Sequence, residues 1–145
     1  MSFARKLLGS EAPPSVLLVR LAVGSIFVLE GILKFTDPEL GVNRFAKIGF
    51  PSPDALAHFV GSVEVLCGLL VVLGLATRAA VVPLLAVMAT AFVSTKVPLL
   101  PKKGFAFMAH EARLDLVMLL SLVFLLVAGA GPLSADARVT AKLSP

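Results

Sequence analysis

The chain has 145 residues, 58% of them apolar and 15% charged, with a net charge of +4. A soluble domain typically carries about 25% charged residues, and a chain this small needs much polar surface to face water. The composition excludes disorder, collagen-like repeats and coiled coil. It also argues against a soluble nucleic-acid binder, because the basic residues sit at the ends of apolar runs, as membrane proteins place them.

Four apolar runs follow one another, at about 16–35 (Val16 to Phe35), 56–76 (Leu56 to Ala76), 79–97 (Ala79 to Val97) and 114–130 (Leu114 to Ala130). Each is near the ~20 residues that a helix needs to cross ~30 Å of hydrocarbon. Backbone groups in lipid must be satisfied within their own segment, so helices are expected and strands are not. A soluble four-helix bundle fails on the last run, where Ser121 is the one polar side chain between Leu116 and Ala130. A helix apolar all round belongs in a large core or in lipid. The fold expected is all-α: one integral membrane domain over 1–145, built as a four-helix transmembrane bundle.

The connections differ in length. The first, about twenty residues, contains Gly41 to Phe50 (GVNRFAKIGF). This segment sets Val42, Phe45 and Ile48 against Asn43, Arg44 and Lys47, which reads as a short amphipathic piece on the membrane surface or as an irregular loop. Thr77 and Arg78 read as a very tight second connection, making the middle runs an antiparallel hairpin. Pro83 falls near the start of the third run, where a missing N–H costs little. Pro98 and Pro101 close that run, and Gly129, Gly131 and Pro132 close the last.

Four crossings put both termini on one side. That side carries Arg5, Lys6, Arg78, Arg138 and Lys142; the other carries Lys34, Arg44, Lys47, Lys96, Lys102 and Lys103. Positive-inside counting does not separate sets so nearly equal.

Charges in hydrocarbon cost about 2.5–3.5 kcal/mol each near a helix centre, so the ionisable residues within the runs are the candidate site. In the first helix Arg20, Gly24, Phe27, Gly31 and Lys34 share a stripe, with Glu30 four residues before Lys34. In the second, Gly61, Glu64 and Gly68 share a stripe; small residues permit close helix approach in lipid, so Gly24, Gly31, Gly61 and Gly68 are candidate packing positions and Glu64 is expected to face the interior. Glu111 and Asp115 stand one turn apart at the head of the last helix. The antiparallel order gathers Glu30, Lys34, Lys96, Glu111 and Asp115 near one boundary, with Glu64 deeper. Arg20 belongs to the opposite boundary, and helix rise puts it and Lys34 both roughly 10 Å from Glu64 along the membrane normal. Snorkelling explains Lys34, Lys96 and Arg20 equally well. Cys67 is alone and reads as a small packed hydrophobe. The sequence contains no metal-ligand spacing, haem motif, nucleotide loop or dinucleotide fingerprint.

Several stretches in order resemble the DoxX family of small four-helix bacterial membrane proteins: RLAVGSIFVLEGILKF, IGFPSPDALAHFVGSVEVLCGLLVVLGLATRAA, HEARLDLVMLLSLVFLLVAG and GPLSAD. The most specific part is G-x-x-E-x-x-x-G followed by L-G-x-x-T-R. Arg20, Gly31, Lys34, Gly49, Pro51, Gly61, Glu64, Gly68, Gly74, Thr77 and Arg78 match recurring family positions. Glu30 stands where many relatives carry His, and the lysine-rich PLLPKKGF replaces a glycine-rich loop. The family is named for a subunit associated with thiosulfate:quinone oxidoreduction, and some members are described as parts of membrane oxidoreductase complexes. The resemblance therefore implies a bacterial inner-membrane protein with cytoplasmic termini. Its leading function would be a subunit or accessory protein of a redox system, contacting quinone through the polar cluster around Glu64 and taking electrons from a redox partner subunit. Two other classes stay open: a small transporter or channel, which four short helices would build as a homo-oligomer, and a non-catalytic assembly protein whose buried charges fix helix register. Membrane lipid is a partner in every case.

Overall fold

The computed structural model describes residues 12–142; Arg5 and Lys6 lie outside them. The described residues form eight helices and no strand: α1 Val16–Thr36, α2 Val42–Ile48, α3 Pro53–Leu73, α4 Thr77–Thr95, α5 Leu99–Lys103, α6 Phe105–Glu111, α7 Arg113–Ala128 and α8 Ala135–Lys142. Three stretches are long and apolar enough to cross a membrane: α1, α3 and Thr77–Lys103, which joins α4 to α5. The last apolar run becomes α7, 16 residues and so about 24 Å long. The outer surface is apolar along these helices, with Leu18, Leu29, Phe59, Leu66, Leu116, Leu120 and Val127 all exposed. In water such a surface would be an aggregation liability; in hydrocarbon it is the expected exterior.

Helix ends differ from the hydropathy runs for local reasons. α3 begins at Pro53 rather than near 56, since proline in the first turn gives up only an N–H that has no intrahelical acceptor. It stops at Leu73 because Gly74 (φ +67°) takes the left-handed conformation, and the Leu75 N–H returns to the Leu70 carbonyl, as in a Schellman ending. The tight connection is thus Gly74 to Ala76, and Thr77 and Arg78 already belong to α4. That earlier start leaves Pro83 inside α4, where it removes one backbone bond. Beyond Pro98 the chain is two short helices rather than a loop, broken at Gly104 (φ +81°). A short helix, α2, occupies the Gly41–Phe50 segment and packs on α3. Beside it Glu39 accepts from Lys47 Nζ (2.6 Å) and Asn43 Nδ2 (2.7 Å). These bonds, from Lys47 and then Asn43, hold the Glu39 carboxyl below the usual carboxylate range.

α1 packs chiefly on α3, α3 on α4, α4 on α7, and α7 touches α1, closing a ring. The α1–α3 contact runs backbone to backbone. A Cβ at Gly24 would lie 2.8 Å from the Gly68 carbonyl oxygen and one at Gly68 2.9 Å from that of Gly24; Gly31 and Gly61 face each other in the same way at 2.7 and 3.1 Å. Lipid tails are as apolar as leucine, so helices in a membrane associate through such close packing rather than through hydrophobic burial. The core is Val16, Val23 and Phe27 of α1, Cys67 and Val71 of α3, Ala80, Val81 and Leu84 of α4, and Met118, Leu122 and Leu125 of α7. Nearly all of it lies toward the α3–α4 turn. At the other end the interior carries charged side chains, and the helices there enclose a cavity.

Candidate functional site: a buried ion pair in the open end of the bundle

The cavity measures about 470 Å³ and is lined from α1, α2, α3, α4 and α7, within the range of small-molecule sites. Its walls are mostly apolar, with Phe27, Phe45, Phe50, Val60 and Met118 among them. Its charged groups come from facing helices. Lys34 Nζ stands 2.6 Å from Glu64 Oε2 and 4.0 Å from Glu30 Oε2. Across the cavity Lys96 at the end of α4 stands 3.5 Å from Asp115 at the head of α7. Arg44 of α2 and the hydroxyl-bearing Thr90, Ser94 and Thr95 of α4 complete the polar lining.

The Lys34–Glu64 pair follows from helix geometry. Side chains lean toward the N-terminus of their own helix. α1 and α3 are antiparallel, so Lys34 leans into the bundle and Glu64 leans up to meet it. Glu64 is 4% exposed and stands about 17 Å along α3 from Pro53. Lys34 therefore turns inward instead of snorkelling. Burial decreases along the triad, from Glu64 to Lys34 (side chain 11% exposed) to Glu30 (47%).

Two other sequence candidates stand apart. Glu111 is exposed and borders an open depression that shares Lys96, Leu114 and Asp115 with the cavity. Arg20 is at the opposite end, 1% exposed, and does not reach Glu64. Its Nε donates to the Val71 carbonyl (3.0 Å), Nη2 to Val72 (2.7 Å), and Nη1 to Ala130 and Leu133 (2.8 Å each). Val71 and Val72 belong to the last turn of α3, where a cation suits the negative end of a helix, and Ala130 and Leu133 to the loop that follows α7.

Arg20 is part of a knot that sequence reading missed. Asp136, 1% exposed, accepts from the Ala76 and Thr77 N–H groups (2.7 and 3.1 Å), capping α4. Its own N–H donates to the Gly74 carbonyl. Arg78 donates to the Leu126 and Val127 carbonyls at the end of α7. A Cβ at Gly74 would sit 2.6 Å from Arg20 Cζ, so that glycine is needed for space as well as for φ. The L-G-x-x-T-R and GPLSAD stretches were the available signal: a turn and an acid, about sixty residues apart.

Among the described residues no group of three His, Cys, Asp or Glu side chains is placed to hold a metal ion. What the open end offers is an apolar chamber with an ammonium, carboxylates and hydroxyls in its lining, able to hold the polar head of an otherwise apolar molecule.

The chain is 49% identical over 144 residues to an uncharacterized membrane protein of Mycobacterium tuberculosis, Rv3486, covering 94% of this chain and 88% of the relative. It is 32% identical over 120 residues to a Bacillus subtilis protein named "Putative oxidoreductase CatD", covering 83% of each. No solved structure matches it significantly. The DoxX family profile matches residues 15–97, which include the glycine contacts, Lys34 and Glu64. The chain is a membrane protein and belongs to the DoxX family.

Proposed function

We propose that this protein is a multi-pass protein of the bacterial inner membrane, with α1, α3, α4 and α7 crossing and both termini cytoplasmic, and that it serves a membrane oxidoreductase system as a subunit or accessory protein that binds quinone. The observation that carries the reading is the cavity of about 470 Å³ with Lys34 and Glu64 paired in its wall. The residues present fit such a ligand. Lys34 and the Thr90 hydroxyl could donate to quinone carbonyls, Glu64 could accept from a quinol hydroxyl, and the apolar walls suit the ring; the Ser94 and Thr95 hydroxyls already donate to α4 carbonyls. Electrons would come from a partner subunit. The name of the Bacillus subtilis relative is in keeping with this role.

A transporter is less well supported. A path from Glu64 to Arg20 would have to pass Phe27, Val71, Leu84 and Leu122, all of them buried core.

The test is extraction. The protein is purified from its native membrane in mild detergent and its bound lipids are separated. Quinone is expected in the wild-type sample. In Glu64→Gln, which keeps the side-chain volume, it is expected to fall about tenfold, the effect of losing ~1.4 kcal/mol of head-group contact. Wild-type protein free of quinone, or equal amounts in both, would end the quinone reading.

A further inference from the structure

We infer that the cavity is open sideways to the bilayer through a slot between α3 and α4, and that its ligand is a single-tailed amphiphile whose head lies at Lys34 and Glu64 and whose tail leaves through the slot. The inference rests on the cavity being a ligand site; it does not require the head to be a quinone. The slot is walled by Phe59 and Val60 of α3 and Ala86, Val87 and Thr90 of α4, all of them cavity-lining. Phe59 is also 64% exposed, and Ala86 and Thr90 are exposed. Cavity-lining side chains that keep this much accessible surface are where we place the opening.

The level of the opening follows from the hairpin. Glu64 is nine residues before the end of α3 and Ala86 nine residues after the start of α4, so both stand about 14 Å from the Gly74–Ala76 turn. Val60 and Phe59 are thirteen and fourteen residues before the end of α3 and Thr90 thirteen after the start of α4, about 20 Å from the turn. The slot therefore runs from the level of the ion pair toward the open end, between two helices that are apolar enough to span. Below it α3 and α4 close on each other through buried Val71, Ala80, Val81 and Leu84. Above it Arg44, Phe45 and Ile48 of α2, with Phe50, line the cavity. The Glu39 bonds to Asn43 and Lys47 tie α2 to the preceding turn.

Physical chemistry divides the labour between head and tail. A tail moving from lipid into an apolar slot gains little, because lipid is equally apolar. Affinity must come from the buried ammonium–carboxylate pair, and the slot supplies shape. Two kinds of head answer this description, a neutral ring bearing carbonyls and the carboxylate of a fatty acid, and the experiment separates them.

The probes are a decyl-substituted benzoquinone, the same ring without its tail, and palmitic acid, each equilibrated with protein in nanodiscs and corrected for empty nanodiscs. Cys67→Ala gives a thiol-free chain, in which Ala86→Cys is blocked after folding with a bulky maleimide; Leu120→Cys on the exposed face of α7 carries the same label as control. Ala86→Phe in the otherwise unchanged chain is a second plug. Either tailed probe that binds the unlabelled protein is expected to be lost on plugging at position 86 and kept on labelling at 120, and which of them binds identifies the head. The tail-less ring, which needs no slot, keeps whatever binding it has. Tailed-probe binding that survives both plugs overturns the slot, as does equal loss of tailed and tail-less rings. Failure of both tailed probes to bind unlabelled protein overturns the ligand site on which the slot depends.

Discussion

Replacing Arg20 by leucine is expected to cost the protein most of its stability. The guanidinium is buried and donates to four carbonyls, two in the last turn of α3 and two in the loop after α7. Leucine would leave those acceptors facing an apolar group in a site that is 1% exposed, with only the Val71 carbonyl keeping a backbone donor among the described residues, the Gly74 N–H. A hydrogen bond to a charged group contributes ~1.5–3 kcal/mol, and removing one partner from a buried charged network typically costs ~3–5 kcal/mol. The four bonds act as a unit, so their values do not sum. Even the lower figure is a large part of the ~5–15 kcal/mol that holds a domain folded. Arg20→Lys keeps the charge but loses the planar fork, so its stability should fall between wild type and Arg20→Leu. Denaturation in detergent followed by circular dichroism gives the order; Arg20→Leu within about 1 kcal/mol of wild type, well below the cost of a broken buried network, would mean that the knot does not hold the helix ends.

The second large effect is a coupling. Lys34→Met leaves Glu64 buried beside Glu30 without its cation, and Glu64→Leu leaves Lys34 with only Glu30 at 4.0 Å. Each single change is expected to destabilise by roughly 3–5 kcal/mol, whereas replacing a buried pair by apolar residues of similar volume is often neutral. The double variant should therefore be more stable than Lys34→Met alone. A double-mutant cycle measures the difference: an interaction energy above about 1 kcal/mol is expected, and additive values would mean that the two groups do not interact.

The helices and the charged residues were legible because lipid allows few ways to bury a backbone or a charge. The runs gave α1 and α7 to within a residue or two, and the stripe of Gly24, Gly31, Gly61 and Gly68 marked a close helix approach. The partner of Glu64 was not legible. Rise along the helix puts Arg20 and Lys34 at similar depth from it, and the choice depends on the direction in which each side chain leans. Arg20 leans away, toward the N-terminus of α1, and meets carbonyls there; Lys34 leans inward. Asp136 escaped notice because its role exists only once residues 74–77 and 131–136 are brought together. The turn at Gly74–Ala76 was displaced to Thr77–Arg78 because hydropathy carries on through Leu75 and Ala76, whereas the backbone turns at the glycine.

Two ends of one bundle thus have different work: the Arg20–Asp136 knot fixes the helix ends, and the Lys34–Glu64 end is where the activity is proposed to reside. Glu64→Gln separates them most directly. It removes the charge while keeping size and hydrogen bonding, and Glu30 still stands near the Lys34 ammonium. It should fold, with a melting temperature in detergent close to wild type, and fail to restore function to a strain lacking the gene. Full rescue by Glu64→Gln and by Glu64→Leu alike would contradict the account, leaving Glu64 with no functional role.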